Sequence, residues 1–153
     1  MEPKKHRIFL DSNVILSGLF SERGATRLIL DLLTLDLPVL AGLTGRFNLL
    51  EIERNIGKKL PGALSFWQVY LPQIRLEIVA TPSSWDLALL GDTAESEDLP
   101  VIASAINGKA DYFVSGDKRL LSRLEKRHDI LFRAAAPAEF LNGLLPDILG
   151  RKR

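Results

Sequence analysis

Three aspartates sit where an alternating strand and helix chain places its chemistry. Asp11 closes the apolar run Ile8, Phe9, Leu10, and Asp117 follows the run Tyr112 to Val114 across Ser115 and Gly116. Asp98 opens a segment in which Val101, Ile102, Ala105 and Ile106 fall at +3, +4, +7 and +8. That spacing puts Asp98 on the inward face of a helix whose first turn holds Pro100. Carboxylates brought together at one edge repel one another unless hard cations neutralise them, and magnesium or manganese is the natural counterion. Two such ions about 4 Å apart can position a water, lower its pKa and stabilise both oxygens of an in-line phosphoryl displacement. This chemistry needs acids and no histidine. Each aspartate also has a plainer reading as a helix cap or Asx-turn. Among Asp92, Glu95, Glu97 and Asp98, only Asp98 is assigned to the site; the others read as an acidic first turn favoured by the helix dipole.

Composition removes several alternatives. The chain of 153 residues, 46% hydrophobic and 25% charged, is long enough for one domain to bury a core without staples. With no cysteine, disulfides and thiolate metal sites are excluded. His6 and His128 are too few and too far apart for a zinc site, and both read as surface residues. No stretch approaches the roughly 20 apolar residues of a membrane span, so a cytoplasmic protein without an export signal is expected. A net charge of +1 is too balanced for a global nucleic-acid field. Local basic runs at Lys4, Lys5 and Arg7, at Lys58 and Lys59, at Lys118 and Arg119, and at 151–153 could supply phosphate contacts; solvated surface is the alternative for each.

The elements that must position the acids follow from periodicity. Arg7 to Asp11 reads as a buried parallel strand. From Gly24 to Leu35, Ala25, Leu28, Ile29, Leu32 and Leu33 make one helical stripe. Pro38 to Ala41 is a second apolar run, after which Leu49, Ile52, Ile56 and Leu60 continue a helix until Pro61 and Gly62 break it. Trp67, Val69, Tyr70 and Ile74 suggest another helix, Leu76 to Ala80 a strand, and Thr81 to Ser84 a turn. Tyr112 to Ser115 is a strand, Lys118 to Arg127 a helix, Ile130 to Phe132 a last strand, and Pro137 to Leu145 a closing helix. Trp67, Tyr70 and Trp85 read as core, with base stacking as the alternative. Such alternation gives right-handed crossovers and an α/β fold, a three-layer α/β/α sandwich around a parallel sheet. The whole chain reads as one domain, with the basic tripeptide 151–153 frayed.

The segment RIFLDSNVILSGLF (Arg7 to Phe20) resembles the opening of PIN-domain proteins, whose first strand ends in Asp-x-Asn-Val; Asp11 and Asn13 match it. DLPVIASAINGKADYFVSGDKRLL (Asp98 to Leu121) is similar to the family's later acidic helix, its Ala-Asp-Tyr strand and its Thr/Ser-Gly-Asp turn, with Ser115, Gly116 and Asp117 on that turn. APAEFL (Ala136 to Leu141) resembles the closing Pro-x-Glu-Phe segment, so the likeness covers nearly the whole chain except the middle. The resemblance implies a fourth acid on the helix after the second strand, where LEIERNI (Leu50 to Ile56) offers two. Glu51 best matches the family's sequence context, whereas the helical wheel brings Glu53 nearer the apolar stripe. With Glu51 chosen, the implied catalytic and metal-holding set is Asp11, Glu51, Asp98 and Asp117. Asn13 and Ser115 would support it by hydrogen bonds to a ligand carboxylate or a metal-held water, with turn formation as the alternative.

The same resemblance implies an endoribonuclease dependent on Mg2+ or Mn2+ that hydrolyses RNA. It further implies a toxin neutralised by an antitoxin protein, and a homodimer. One position departs from the pattern: many relatives carry a further acid two residues after the aspartate of the turn, where this chain has Arg119. Arg119, with Lys118, could instead contact a substrate phosphate, or mark a module that binds RNA or a partner without cleaving. FLDSNVI also resembles the nucleophile motif of haloacid dehalogenase-like phosphatases. That class needs a second aspartate as general acid where this chain has Asn13, and an amide does not titrate.

Overall fold

The computed structural model describes residues 4–91 and 97–150. Its centre is an all-parallel sheet of five strands in the order β3-β2-β1-β4-β5, formed by β1 (His6–Leu10), β2 (Leu40–Gly45), β3 (Glu77–Val79), β4 (Tyr112–Val114) and β5 (Arg133–Ala135). Side chains alternate across a strand, so β1 sends Ile8 and Leu10 to one face and Phe9 to the other. Ile8 and Leu10 pack with α1 (Ser12–Leu19), α2 (Ala25–Thr34), α3 (Arg46–Lys59), α4 (Leu64–Ile74) and the C-terminal helices. Phe9, Leu43 and Phe113 pack with Val101, Ile102 and Ala105 of α6 (Leu99–Asn107) and Leu120 and Leu124 of α7 (Lys118–Glu125). Helices therefore cover both faces, giving the expected α/β/α sandwich.

Most elements fall where periodicity puts them, with four differences. Ser12–Leu19 is helical, although Val14, Ile15 and Gly18 are weak helix formers; burial of Val14, Ile15, Gly18 and Leu19 and a cap from Asp11 outweigh propensity. Leu40–Gly45, shifted toward the C-terminus from the Pro38 to Ala41 run, is the second strand, because Pro38 and Val39 only lead into the pairing with β1. The last strand is Arg133–Ala135 and not Ile130 to Phe132. Leu131 lies 97% exposed in the approach, while the small Ala134 and Ala135 pair with β4 at the sheet edge. Ser84–Leu90, to which periodicity assigns no element beyond the turn at Thr81 to Ser84, forms α5, started by a reciprocal Ser83 and Asp86 capping box.

Trp67 is fully buried and Tyr70 packs against the same core, but Trp85 stands 71% exposed on α5 and is not a core residue. The C-terminal segment runs through α8 (Pro137–Glu139), a π-helical turn (Phe140–Leu144) and α9 (Leu145–Ile148), somewhat beyond the expected end. No helix among the described residues is long and apolar enough to cross a membrane. The basic residues 151–153, expected to fray, lie outside the described residues, as do Asp92 and Glu95.

Three stacked rings fasten β1, β4 and the approach to β5 on one face. Phe113 sits 5.7 Å from Phe9 and 5.4 Å from Phe132, centroid to centroid, with near-parallel planes. Replacing Phe113 with alanine is expected to cost about 3–5 kcal/mol in urea unfolding, a large share of the roughly 5–15 kcal/mol of a domain this size. A loss below about 1 kcal/mol would contradict this packing.

Candidate active site

From β1 the chain proceeds outward through β2 to β3, then crosses to the other side of β1 for β4 and β5. The switch point of the sheet is therefore between β1 and β4, where the carboxyl ends of adjacent strands diverge and open a crevice. Asp11 and Ser115 are the first residues beyond those two strands. Backbone bonds hold the junction: Asp11 N donates to Val114 O (3.0 Å) and Ser115 N to Ala135 O (3.1 Å). On the other side, the buried Thr44 hydroxyl donates to Leu10 O (2.8 Å), tying the end of β2 to the end of β1.

Asp11 is the most constrained acid. It caps α1, its Oδ1 accepting from Ser12 N (2.8 Å), so the capping alternative and a place in the crevice hold together. Its Oδ2 accepts from Ser115 Oγ (2.8 Å). Asn13 Nδ2 approaches both Ser115 Oγ (3.3 Å) and Asp11 Oδ2 (3.4 Å), while Asn13 Oδ1 accepts from Gly116 N (2.7 Å). Asn13 and Ser115 thus brace the acid and the turn together, and the turn-forming reading of each is fulfilled in the same contacts. Ser115 Oγ also accepts from Asp117 N (3.0 Å), linking the two aspartates through one buried hydroxyl.

Asp117 caps α7 through Oδ1, which accepts from Arg119 N (3.0 Å) and Leu120 N (3.1 Å). Asp98 precedes α6 in helical conformation, and its side chain does not cap the helix. Glu51 accepts from Ser12 Oγ (2.7 Å). Asp11, Glu51, Asp98 and Asp117 all line one cleft of about 580 Å³, which also includes Asn13. Glu53, the alternative to Glu51, is exposed and absent from its walls.

Sequence reasoning missed four contributors. Glu97, read as a helix-turn acid, lines the cleft, as does Arg54. Ser12 bridges Glu51 to the Asp11 region. Asn48, fully buried, donates to Ser12 Oγ (2.8 Å) and Asp11 Oδ1 (3.3 Å), and its Oδ1 accepts from Gly45 N (3.2 Å). A Cβ on Gly45 would lie 2.8 Å from Asn48 Oδ1 and 2.9 Å from Ser104 Oγ, so a glycine is needed for this approach. The available signal was the polarity of Asn48 on the inward side of the Leu49, Ile52, Ile56 stripe. Lys118 and Arg119 are exposed and do not line the cleft; Lys118 faces a separate groove with Arg127 and Arg133.

The cleft is electrostatically unbalanced, with five carboxylates and one guanidinium on its walls. Burial pushes the Asp11 carboxyl from an ordinary 3.8 up to about 6; the bonds from Ser115 and Ser12 oppose this, and the charges of Glu51 and Asp98 add to it. An acid disfavoured by burial and by like charges is one that a divalent cation would relieve, so the residues fit such an ion. Among the described residues, however, no three acids or imidazoles converge closely enough to hold an ion as they stand.

A parallel sheet in this order, sandwiched by helices and carrying acids at its switch point, is the PIN-domain fold, and the chain adopts it. Its structure is similar to that of VapBC2 from Rickettsia felis, solved with a DNA fragment from its promoter, with a TM-score of 0.61 at 17% identity over 85% of this chain and 98% of the other. It is also similar to PAE2754 from Pyrobaculum aerophilum, with a TM-score of 0.56 at 12% identity over 89% and 93% of the respective chains. No protein-family model matches the sequence, and no curated protein matches it in sequence.

The raised pKa sets a pH dependence. The folded protein binds the Asp11 proton more tightly than the unfolded chain, so stability falls as pH rises from about 4 to about 6 and the full penalty is present above that. At about 1.4 kcal/mol per pH unit, that penalty is about 3 kcal/mol. In chelator, wild-type unfolding free energy should drop by this order relative to Asp11→Asn between pH 4 and 7.5. Parallel pH profiles for the two proteins would contradict the assignment.

Proposed function

We propose that this protein is a metal-dependent endoribonuclease that hydrolyses RNA phosphodiester bonds, with Asp11, Glu51, Asp98 and Asp117 as catalytic and metal-holding residues. The observation that carries the reading is the meeting of all four acids on one cleft at the sheet's switch point. Mg2+ or Mn2+ bound by these carboxylates would neutralise their mutual repulsion and activate a water for in-line attack at phosphorus. Ser115, Asn13 and Asn48 brace Asp11, Ser12 braces Glu51, and Glu51, Asp98 and Asp117 would turn inward onto a bound ion. Buried in this network, Asp11 keeps one orientation, which avoids an ordering cost when substrate binds.

The likeness to VapBC2 and the motif resemblance support a toxin whose activity a partner antitoxin blocks, and the motif resemblance adds a cytoplasmic homodimer to the same proposal. A second reading, a module that binds RNA or a partner without cleaving it, is favoured by Arg119 standing where many relatives carry an acid and by the spacing of the cleft acids.

Purified protein incubated with RNA and Mn2+ separates the two. Cleavage should vanish with chelator and fall at least about 100-fold in Asp11→Asn and Asp117→Asn, while Ser115→Ala, which loosens only the bracing, should lose about 10–100-fold. RNA binding without metal-dependent cleavage would establish the second reading, and cleavage that survives both chelator and substitution would point to a contaminant.

A further inference from the structure

The helix that supplies Glu51 continues past the acidic cleft. Arg54, on its next turn, lines that cleft and makes no ion pair among the described residues. Asn55 and Leu16 line both the cleft and an adjoining recess of about 340 Å³, whose walls include Phe20, Ile56, Lys59 and Leu60. The two cavities are thus contiguous between α1 and α3. Phe20 is 49% exposed and Leu60 53%, so a substantial apolar surface, with one aromatic ring, is open beside a strongly polar site. Asn55 Nδ2 donates to the Glu51 carbonyl (3.0 Å), which engages the donor side of the amide and leaves its oxygen to accept. Lys58 and Lys59 charge the last turn of the same helix. Glu51 to Lys59 spans eight residues, about 12 Å along the axis.

Read outward from the acids, the order along α3 is cation, amide beside an apolar recess, cation. Single-stranded nucleic acid has the complementary order of phosphate, flat apolar base with a polar edge, phosphate. An apolar protein segment would match the recess but would offer no anionic group to Lys59 at its outer end or to Arg54 at its inner end. We propose that the recess between α1 and α3 is a nucleobase subsite for single-stranded RNA, with Arg54 and Lys59 contacting the phosphates on either side and Phe20 stacking on the base. The acceptor oxygen of Asn55 favours a base carrying an exocyclic amino group over uracil, which presents two carbonyls around its one N–H. This assignment rests on the nuclease reading only for the position of the scissile phosphate.

The test is fluorescence anisotropy of labelled rC10, rA10 and rU10 with the full chain in chelator, so that nothing is cleaved, after circular dichroism has checked each variant's fold. Wild type should bind rC10 and rA10 more tightly than rU10. Phe20→Ala should weaken all three at least about fivefold. Asn55→Ala should remove the difference between rC10 and rU10. Arg54→Gln and Lys59→Gln, both surface changes, should weaken all three alike and each reduce the slope of log affinity against log salt by about 0.7. Absence of RNA binding, or Phe20→Ala and Asn55→Ala variants that bind all three as wild type does, overturns the subsite; the latter is also the outcome if the recess takes a protein segment. Base-dependent binding without Mn2+-dependent cleavage sinks the nuclease reading and leaves the subsite standing, whereas Mn2+-dependent cleavage indifferent to Phe20 and Asn55 does the reverse.

Discussion

Everything at the crevice depends on one buried carboxylate. Asp11 is held by the Ser12 backbone, the Ser115 hydroxyl and the amides of Asn13 and Asn48, from two helices and a turn. These donors compensate part of the desolvation, yet burial still dominates and raises its pKa. A protein that only needed a cap for α1 could use an exposed aspartate or serine at little cost. Burying the acid while setting Glu51 and Asp98 close enough to disfavour its charge sacrifices stability at neutral pH, a pattern that functional sites share and that supports the proposed cation.

The sheet topology explains why these acids meet at all. Residues 11 and 117 are far apart in the chain, but the order β3-β2-β1-β4-β5 makes β1 and β4 neighbours, so their outgoing turns share one edge. Ser115 then joins the two turns through a single hydroxyl, donating to Asp11 and accepting from the Asp117 backbone. Capping and chemistry are not rivals here: Asp11 and Asp117 each use one oxygen to start a helix, and the capped helices fix where the rest of the carboxylate lies. The stacked Phe9, Phe113 and Phe132 keep the same strands in register from beneath.

Much of this was legible because it is local. Apolar runs ending in an acid mark strands leaving a covered parallel sheet, and the stripe through Ile29 and Leu33 or through Ile52 and Ile56 marks a helix whatever packs on it. What escaped was decided by tertiary contact. Helix α1 forms against propensity because its apolar side chains are buried, and β5 is too short and small-sided to show a pattern. Asn48 looked like an ordinary helix residue, since its role comes from the close passage of Gly45 and from Ser12, thirty-six positions away in the chain. The basic pair after Asp117 was an attractive phosphate contact by sequence adjacency. Lys118 and Arg119, on the first turn of α7, stand outside the cleft walls, so a phosphate they contact would lie beyond the acids, while Arg54, three residues after Glu51, lines the cleft as a neighbour on the same helix.

The central claim is that the clustered charge on this cleft exists to be neutralised by a divalent ion. Anomalous diffraction from crystals soaked in Mn2+ tests it most directly. A manganese peak bounded by Asp11 and at least two of Glu51, Asp98 and Asp117 is the expected result, with those side chains turned inward onto it. Crystals saturated with the ion that show no peak in the cleft, or a peak held by other residues, would contradict the account.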